Sequence, residues 1–150
     1  MTQSPQSAGS NAPAGIDPRG PRFGAALTTV VLAIALVTGS VWVLLLQTLV
    51  FAVGAARGAQ HTPYGILFRR FVRPRLSPPS ELEDPEPPRF AQGVGLVVAG
   101  VGVVAALLGV GGAVEVGAGL ALIAALLNAA FGLCLGCELY LLIVRARAAA

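Results

Sequence analysis

The sequence carries little charge and no lysine. Of its 150 residues only 11% are charged, and all ten basic residues are arginine. A soluble domain carries about 25% charged residues, so this chain cannot cover the surface of a water-soluble globule. Hydrophobic residues make up 55% of it. Disordered chains have low hydrophobicity, so disorder over most of the length is excluded as well.

Residues that commonly carry catalysis or bind metals are scarce. There is one histidine, His61, and there are two cysteines. Without a second histidine or a carboxylate at ligand spacing, His61 is interpreted as a loop residue at the membrane interface, and no metal site is predicted. The sequence contains no Ser-His-Asp set, phosphate-binding glycine loop or dinucleotide fingerprint. No cofactor is predicted, and a role other than that of an enzyme is favoured.

The charges separate long apolar runs. Uncharged runs occupy residues 24–56, 90–114 and 116–137, and are 33, 25 and 22 residues long. A helix needs about 20 apolar residues to cross a bilayer, so the second and third runs suit one crossing each. The first run would form a helix about 50 Å long, so we expect two shorter helices with a break near Thr38-Gly39-Ser40.

The arginines predict the orientation of these helices. With four crossings, both termini and the central loop share one side, and that side holds all ten arginines. The other side holds two turns, near Gly39 and between Gly111 and Gly117, with Glu115 as its only charge. Positively charged loops stay in the cytoplasm. The sequence therefore predicts a multi-pass protein of the cell (plasma) membrane with both termini cytoplasmic, rather than a nucleic-acid-binding protein.

The predicted fold is all-α: four transmembrane helices in two tandem hairpins, with a short in-plane amphipathic helix in the central cytoplasmic loop. Pro-Arg-Phe precedes both hairpins, at Pro21 and at Pro88. This repeat is either a tandem duplication, which implies a two-fold relationship about the membrane normal, or only a favourable membrane-entry sequence. The predicted boundaries are a disordered cytoplasmic tail at 1–20, hairpins at 21–57 and 90–145, a cytoplasmic loop at 58–89 and a cytoplasmic tail at 146–150.

The central loop combines a basic helix with an acidic, proline-rich segment. Thr62 and Pro63 form a helix start signal. The apolar stripe that follows is Tyr64, Leu67, Phe68, Phe71 and Val72. The residues predicted to contact anionic lipid headgroups or a partner are Arg69, Arg70, Arg73 and Arg75; the alternative is that they only set the topology. The acidic residues between 81 and 86 are expected to fold back on these arginines or to dock a partner.

The two cysteines form a Cys-x-x-Cys motif near the C-terminal end of the predicted fourth helix. In one continuous helix Asn128, Cys134 and Glu138 share a face, and Glu138 is expected to point into the bundle because intramembrane charges mark functional sites. The candidate redox residues are Cys134, Cys137 and Glu138. A helix C-terminus disfavours a thiolate, and the Gly-x-x-x-Gly that starts at Gly132 indicates close helix packing. Packing, thiol–disulfide chemistry and ligand binding in a dimer stay open.

Four segments together resemble a known membrane family. They are the Pro-Arg-Phe before the first helix, residues 63–75, residues 83–91 and the Phe-Gly-x-Cys-x-Gly-Cys of residues 131–137. Over residues 16–144 the chain resembles domain of unknown function 4395, a mostly actinobacterial family. The resemblance implies gene neighbours that encode thioredoxin-like and sulfurtransferase proteins, and a partner of that kind. It implies no activity and no further catalytic residue.

Three functions fit the sequence. The first is a membrane component of thiol redox or sulfur metabolism that uses Cys134 and Cys137 with a cytosolic partner. The second is a non-catalytic scaffold that recruits a cytosolic partner or anionic lipid through its arginine-rich loop. The third and least favoured is a small anion carrier with Asn128 and Glu138 inside the bundle. A homodimer is compatible with each.

Overall fold

The computed structural model describes residues 15–150, and this part of the chain is helical, as predicted. Its helices are α1 Arg19–Thr38, α2 Val41–Arg57, α3 Pro63–Leu67, α4 Glu86–Leu107, α5 Ala113–Phe131 and α6 Leu135–Ala149. Three of them, α1, α4 and α5, are long and apolar enough to cross a membrane, by length and composition. α2 is also apolar but has only 17 residues.

The first uncharged run folds as two helices. After Thr38 the chain turns at Gly39, which has a φ of 61°, a left-handed conformation that glycine adopts readily at a helix end. Ser40 then caps α2, and its hydroxyl accepts a hydrogen bond from the Val43 N–H. The break predicted at Thr38-Gly39-Ser40 is confirmed.

The second half of the chain differs from the prediction in three places. α4 begins at Glu86 rather than at residue 90. Its second residue is a proline, which the first turn of a helix tolerates because the N–H that proline lacks would have no partner there. The turn before α5 spans residues 108–112, so Glu115 lies in the first turn of α5 instead of in a loop. α5 ends at Phe131, so the predicted fourth helix is interrupted before the cysteines.

α1, α2, α4 and α5 form a four-helix bundle. α1 packs mainly against α5 and α2 mainly against α4, and the α1–α2 and α4–α5 contacts complete the bundle. Its core consists of Leu32, Ala35, Leu44, Phe51, Ala99, Val103, Val114, Ala118 and Ala121. α6 packs against α4 outside this core, and none of its residues is buried.

The two halves of the bundle are related as a two-fold axis requires. A two-fold rotation that exchanges the hairpins places α1 on α4 and α2 on α5. The contact between α1 and α5 is then equivalent to the contact between α4 and α2, and these are the two main contacts of the bundle. Ile16 and Glu83 lie 67 residues apart, like the two Pro-Arg-Phe sequences. Each donates its N–H to the carbonyl of the other at 2.9 Å. Reciprocal contact between equivalent residues is the signature of a two-fold axis, which favours the duplication over the membrane-entry alternative.

The repeat is longer than Pro-Arg-Phe. Asp-Pro precedes it in both halves, at Asp17 and at Asp84. The Asp17 Oδ1 accepts a hydrogen bond from the Arg19 N–H at 3.0 Å, and the Asp84 Oδ1 accepts one from the Glu86 N–H at 2.9 Å. The same turn therefore opens α1 and α4. Most of the predicted tail, residues 1–14, lies outside the described residues, but residues 15–20 are ordered around this turn.

Helices α4 and α5 touch at a pair of glycines. A Cβ atom on Gly117 would lie 3.0 Å from the Gly102 Cα, whereas a Cβ on Gly119 would meet no atom within 4 Å. We expect Gly117→Val to lower the free energy of unfolding by about 1–3 kcal/mol, because the added side chain forces the helices apart. Thermal melting of the detergent-purified protein, followed by circular dichroism, measures this. Gly119→Val is the matched control, and equal melting temperatures for the two variants would contradict the close approach.

Candidate functional site

A break in the chain between two helices positions the cysteines. Gly132 follows α5 with a φ of 68°, and its N–H donates to the Asn128 carbonyl at 2.9 Å. Glycine reaches this left-handed conformation without a Cβ clash. α6 then begins at Leu135, with Cys134 as its N-cap. The prediction that Cys134 lies within one continuous fourth helix is therefore wrong.

The Cys-x-x-Cys motif lies at the N-terminus of α6. Cys134 and Cys137 are joined by a disulfide, and their Cα atoms are 5.2 Å apart. The Cys137 N–H donates to the Cys134 Sγ at 3.3 Å, which is the hydrogen bond of an N-cap. The N-terminus of a helix carries a positive partial charge that stabilises an anion. The helix dipole thus favours a thiolate at Cys134 after reduction, the opposite of the effect predicted from a helix C-terminus.

Glu138 is exposed on the first turn of α6. The expectation that it points into the bundle depends on the continuous helix and is wrong. An acidic side chain in the first turn complements the helix dipole, which gives this charge a local structural reason. Its participation in a redox site stays a prediction.

The glycines of the Gly-x-x-x-Gly sequence have separate roles, because α5 ends between them. Gly132 terminates α5, whereas Gly136 lies against α4, where a Cβ on it would lie 2.5 Å from the Ala91 Cβ. The rings of Phe90 and Tyr140 pack beside this contact, with centroids 5.7 Å apart. These contacts hold α6 against the first turns of α4.

A cavity of about 350 Å³ lies beside Cys134. All four bundle helices and the beginning of α6 line it, mainly with alanine, valine and leucine. Three polar side chains also line it: Thr28, Gln92 and Asn128. Asn128 and Cys134, which the sequence places on one helix face, do meet at this cavity although the helix is broken.

A buried hydrogen-bond chain leads from the cavity wall to α3. Gln47 is fully buried, and its Nε2 donates to the Thr28 Oγ1 at 3.4 Å. The Tyr64 hydroxyl donates to the Gln47 Oε1 at 2.8 Å, and burial raises the pKa of Tyr64. Sequence reasoning missed Thr28, Gln47 and Gln92. A polar residue inside an uncharged run is the signal that identifies them.

The central segment is less regular than its periodicity predicts. The start signal is confirmed, since the Thr62 Oγ1 accepts a hydrogen bond from the Gly65 N–H at 3.1 Å. After α3 the chain continues through Phe68–Val72 as a π-helical turn. Phe68 is the one buried residue of the predicted stripe and packs on Phe23, whereas Phe71 is exposed. An exposed aromatic face beside arginines is typical of an interfacial helix.

α6 and α3 are counterparts in the two halves. Thr62 and Cys134 are both N-caps that accept a hydrogen bond from the N–H three residues later. Phe68 packs on the first Pro-Arg-Phe and Tyr140 on the second, with ring centroids 5.7 Å apart in both pairs. The cysteine motif therefore occupies the position that a helix cap occupies in the first half.

The two Pro-Arg-Phe arginines bind helix ends. Arg22 donates to the Ala129 carbonyl of α5 at 3.3 Å, and Arg89 donates to the Ala55 carbonyl of α2 at 2.9 Å. Both carbonyls lie in the last turn of their helix and need donors from outside it. Each arginine therefore ties the start of one hairpin to the end of the other.

The four arginines of the predicted lipid or partner contact are all exposed: Arg69, Arg70, Arg73 and Arg75. Within the described residues the ion pairs are Asp17–Arg19 and Glu86–Arg89. The expectation that the acidic residues of the central loop fold back on neighbouring arginines therefore holds only for Glu86, which pairs with Arg89. Docking of a partner by this segment stays a prediction. His61 lies in the same loop, with its Nδ1 2.7 Å from the Arg57 carbonyl oxygen.

Comparison with protein families identifies the chain. The profile described as "Domain of unknown function (DUF4395)" matches residues 16–145. The match includes both hairpins, the central segment and the cysteine pair. Comparison with curated proteins and with solved structures finds no match. The resemblance drawn from the sequence is confirmed, and the chain belongs to the DUF4395 family.

Proposed function

We propose that this protein is an integral membrane thiol–disulfide component, in which Cys134 and Cys137 exchange electrons with a thiol protein at the cytosolic face. A thioredoxin-like or sulfurtransferase protein is a partner of the required chemistry. The observation that carries the proposal is the disulfide at the N-terminus of α6, beside an apolar cavity.

The proposal includes four crossings and cytosolic termini. α2 supports a fourth crossing because it runs antiparallel to α4, from Leu44 beside Gly102 to Ala55 beside Arg89. The hydrogen bonds of Arg22 and Arg89 bring the starts of α1 and α4 to the ends of α5 and α2. This end of the bundle is rich in arginine, and the positive-inside rule assigns such an end to the cytoplasm.

This orientation makes the disulfide functionally informative. Cys134 follows the end of α5 and therefore belongs to the arginine-rich end. Disulfides on the cytosolic side are usually transient and catalytic or redox-sensing. The Cα atoms of Cys134 and Cys137 are 5.2 Å apart, which lets the pair form and open a disulfide without backbone movement. Thiol–disulfide exchange is therefore favoured over packing.

The two sulfurs differ in surroundings, since Cys134 lines the cavity and Cys137 does not. We infer that a partner thiolate attacks the Cys137 sulfur. The S–S bond breaks, a mixed disulfide forms at Cys137, and the electron pair leaves on Cys134, where the helix N-terminus stabilises the thiolate. A second partner thiolate then attacks the mixed disulfide. The partner leaves oxidised, and both cysteines are reduced.

Cys134→Ser is expected to accumulate a mixed disulfide between Cys137 and the partner. The Cys137 thiolate attacks the disulfide of the oxidised partner, one partner thiolate leaves, and the Cys134 thiolate that would displace the partner from Cys137 is missing. Cells are quenched in acid, the remaining thiols are blocked, and adducts are separated on non-reducing gels and identified by mass spectrometry. Cys137→Ser is the matched control and is expected to give little adduct. Equal adduct from both variants would contradict the assignment of Cys137. The thiol-redox function would be excluded by two results together: the wild-type thiols stay reduced under every oxidant, and neither variant forms an adduct.

A second candidate function is the recruitment of anionic lipid by the central segment. The observation that favours it is the exposure of four arginines with no ion-pair partner among the described residues. An arginine close to an anionic membrane surface contributes about 1 kcal/mol of attraction.

Reversing the charge of Arg69 and Arg70 to glutamate is expected to reduce the anionic phospholipid that co-purifies with the protein by at least about half, since two of the four arginines are lost. Lipid mass spectrometry of the detergent-purified protein measures the ratio. Arg145 and Arg147 on α6 provide a control with the same change of charge. An unchanged ratio in the Arg69 and Arg70 variant would exclude lipid recruitment by this segment.

A further inference from the structure

We propose that the cavity beside Cys134 binds the ring of a membrane quinone, which accepts the electrons of the reduced cysteine pair. This inference rests on the proposed thiol-redox function and names the second substrate of that site. Three observations support the proposal. An aromatic ring occupies the equivalent space in the other half of the bundle, polar side chains line the cavity, and the cavity opens onto the outer surface of the helices.

In the first half of the bundle an aromatic ring fills the equivalent space. Gly136 is the counterpart of Tyr64, because each is the second residue after its helix cap, Thr62 or Cys134. The Tyr64 Cβ lies against α1 at Gly24, as Gly136 lies against α4 at Ala91. Gly136 packs on Ala91 and contributes no ring. The Phe51 ring lies against Gly95, and the cavity is the part of this space that Phe51 leaves unfilled.

The residues around that ring are also replaced by smaller ones. Arg89 and Arg22 bind Ala55 and Ala129, each three residues before a glycine of positive φ that ends its helix. When α2 and α5 are aligned on their final glycines, Gly58 and Gly132, the counterpart of Gln47 is Ala121. The 67-residue spacing makes Gly95 the counterpart of Thr28. Ala121, Gly95 and Gly136 all line the cavity.

The lining offers hydrogen bonds to a flat polar ring. The Gln47 amide is engaged by Thr28 and Tyr64. Gln92 and Asn128 both line the cavity, and the Gln92 amide lies beside Gly54 of α2. Polar groups at membrane depth need partners because no water supplies them. The two carbonyl oxygens of a quinone accept hydrogen bonds from amide N–H donors, which a phospholipid acyl chain cannot do.

The cavity opens onto the outer surface of the helices. Its lining includes Leu120, Leu135 and Leu139, which are 58%, 43% and 43% exposed. In a bilayer these leucines face lipid, so the entrance admits a lipid-soluble molecule from the side. Its volume of about 350 Å³ lies within the range of small-molecule sites, about 300–1,000 Å³.

The reaction balances without a further reactant. The S–H bonds of Cys134 and Cys137 break and one S–S bond forms between them. The two electrons and two protons released reduce the two carbonyl oxygens of the quinone to the hydroxyls of a quinol. The disulfide is then ready for the next partner dithiol, so electrons flow from the cytosolic partner through the cysteines to the quinone.

The test uses the full-length protein in detergent, reduced with a phosphine, freed of reductant and kept anaerobic. The probe is decylubiquinone, whose fully substituted ring has no carbon open to thiol addition. We expect one quinol per protein by absorbance, with the Cys134–Cys137 disulfide restored by mass spectrometry. Oxidised glutathione serves as a second oxidant. Oxidation by glutathione but not by the quinone would overturn this inference and leave the thiol-redox function standing, whereas oxidation by neither would remove both.

Variants locate the reaction in the cavity. Ala124→Phe places a ring in it and is expected to slow quinone reduction at least about tenfold, with oxidation by glutathione unchanged. Ala130→Phe is the matched control, because Ala130 lies on the same helix, is exposed and does not line the cavity. Asn128→Leu is expected to raise the half-saturating quinone concentration by about tenfold, the effect of one lost hydrogen bond. Wild-type rates in both Ala124→Phe and Asn128→Leu would place the reaction elsewhere and contradict the proposal.

Discussion

The structure depends on the need of the last carbonyls of α2 and α5 for hydrogen-bond donors. These carbonyls have no donor within their own helix, and Arg89 and Arg22 supply donors from the opposite hairpins. These two bonds fix which helix ends lie together, and they gather positive charge at one end of the bundle. They also relate the halves by an approximate two-fold axis, on which the reciprocal pairing of Ile16 with Glu83 lies.

The departures from that two-fold relationship are the features on which the proposed function rests. Both second helices end at a glycine of positive φ, Gly58 or Gly132, and a capped helix follows each. In the first half the cap is a threonine, and Tyr64 fills the space below it. In the second half the cap is Cys134, and the corresponding space is the cavity.

Much of the fold is predictable from the sequence, and the site is predictable only in part. The turn at Gly39 is predictable because the first uncharged run is too long for one membrane-crossing helix. The break at Gly132 is not predictable in this way, because an uncharged run of 22 residues suits one helix and gives no reason for a break. The sequence identifies the cysteines, but not that Cys134 lies at a helix N-terminus, because that depends on the break at Gly132. Gln47 and Gln92 were missed because burial and cross-half contacts depend on tertiary packing.

The proposed function requires that Cys134 and Cys137 cycle between disulfide and dithiol. The midpoint potential of the pair in the purified full-length protein tests it most directly, by equilibration with glutathione buffers and quantitative thiol trapping. A helix N-terminus that stabilises the reduced form predicts a potential above about −270 mV, in the range of catalytic dithiols. A potential below about −300 mV, typical of structural disulfides, would contradict the account.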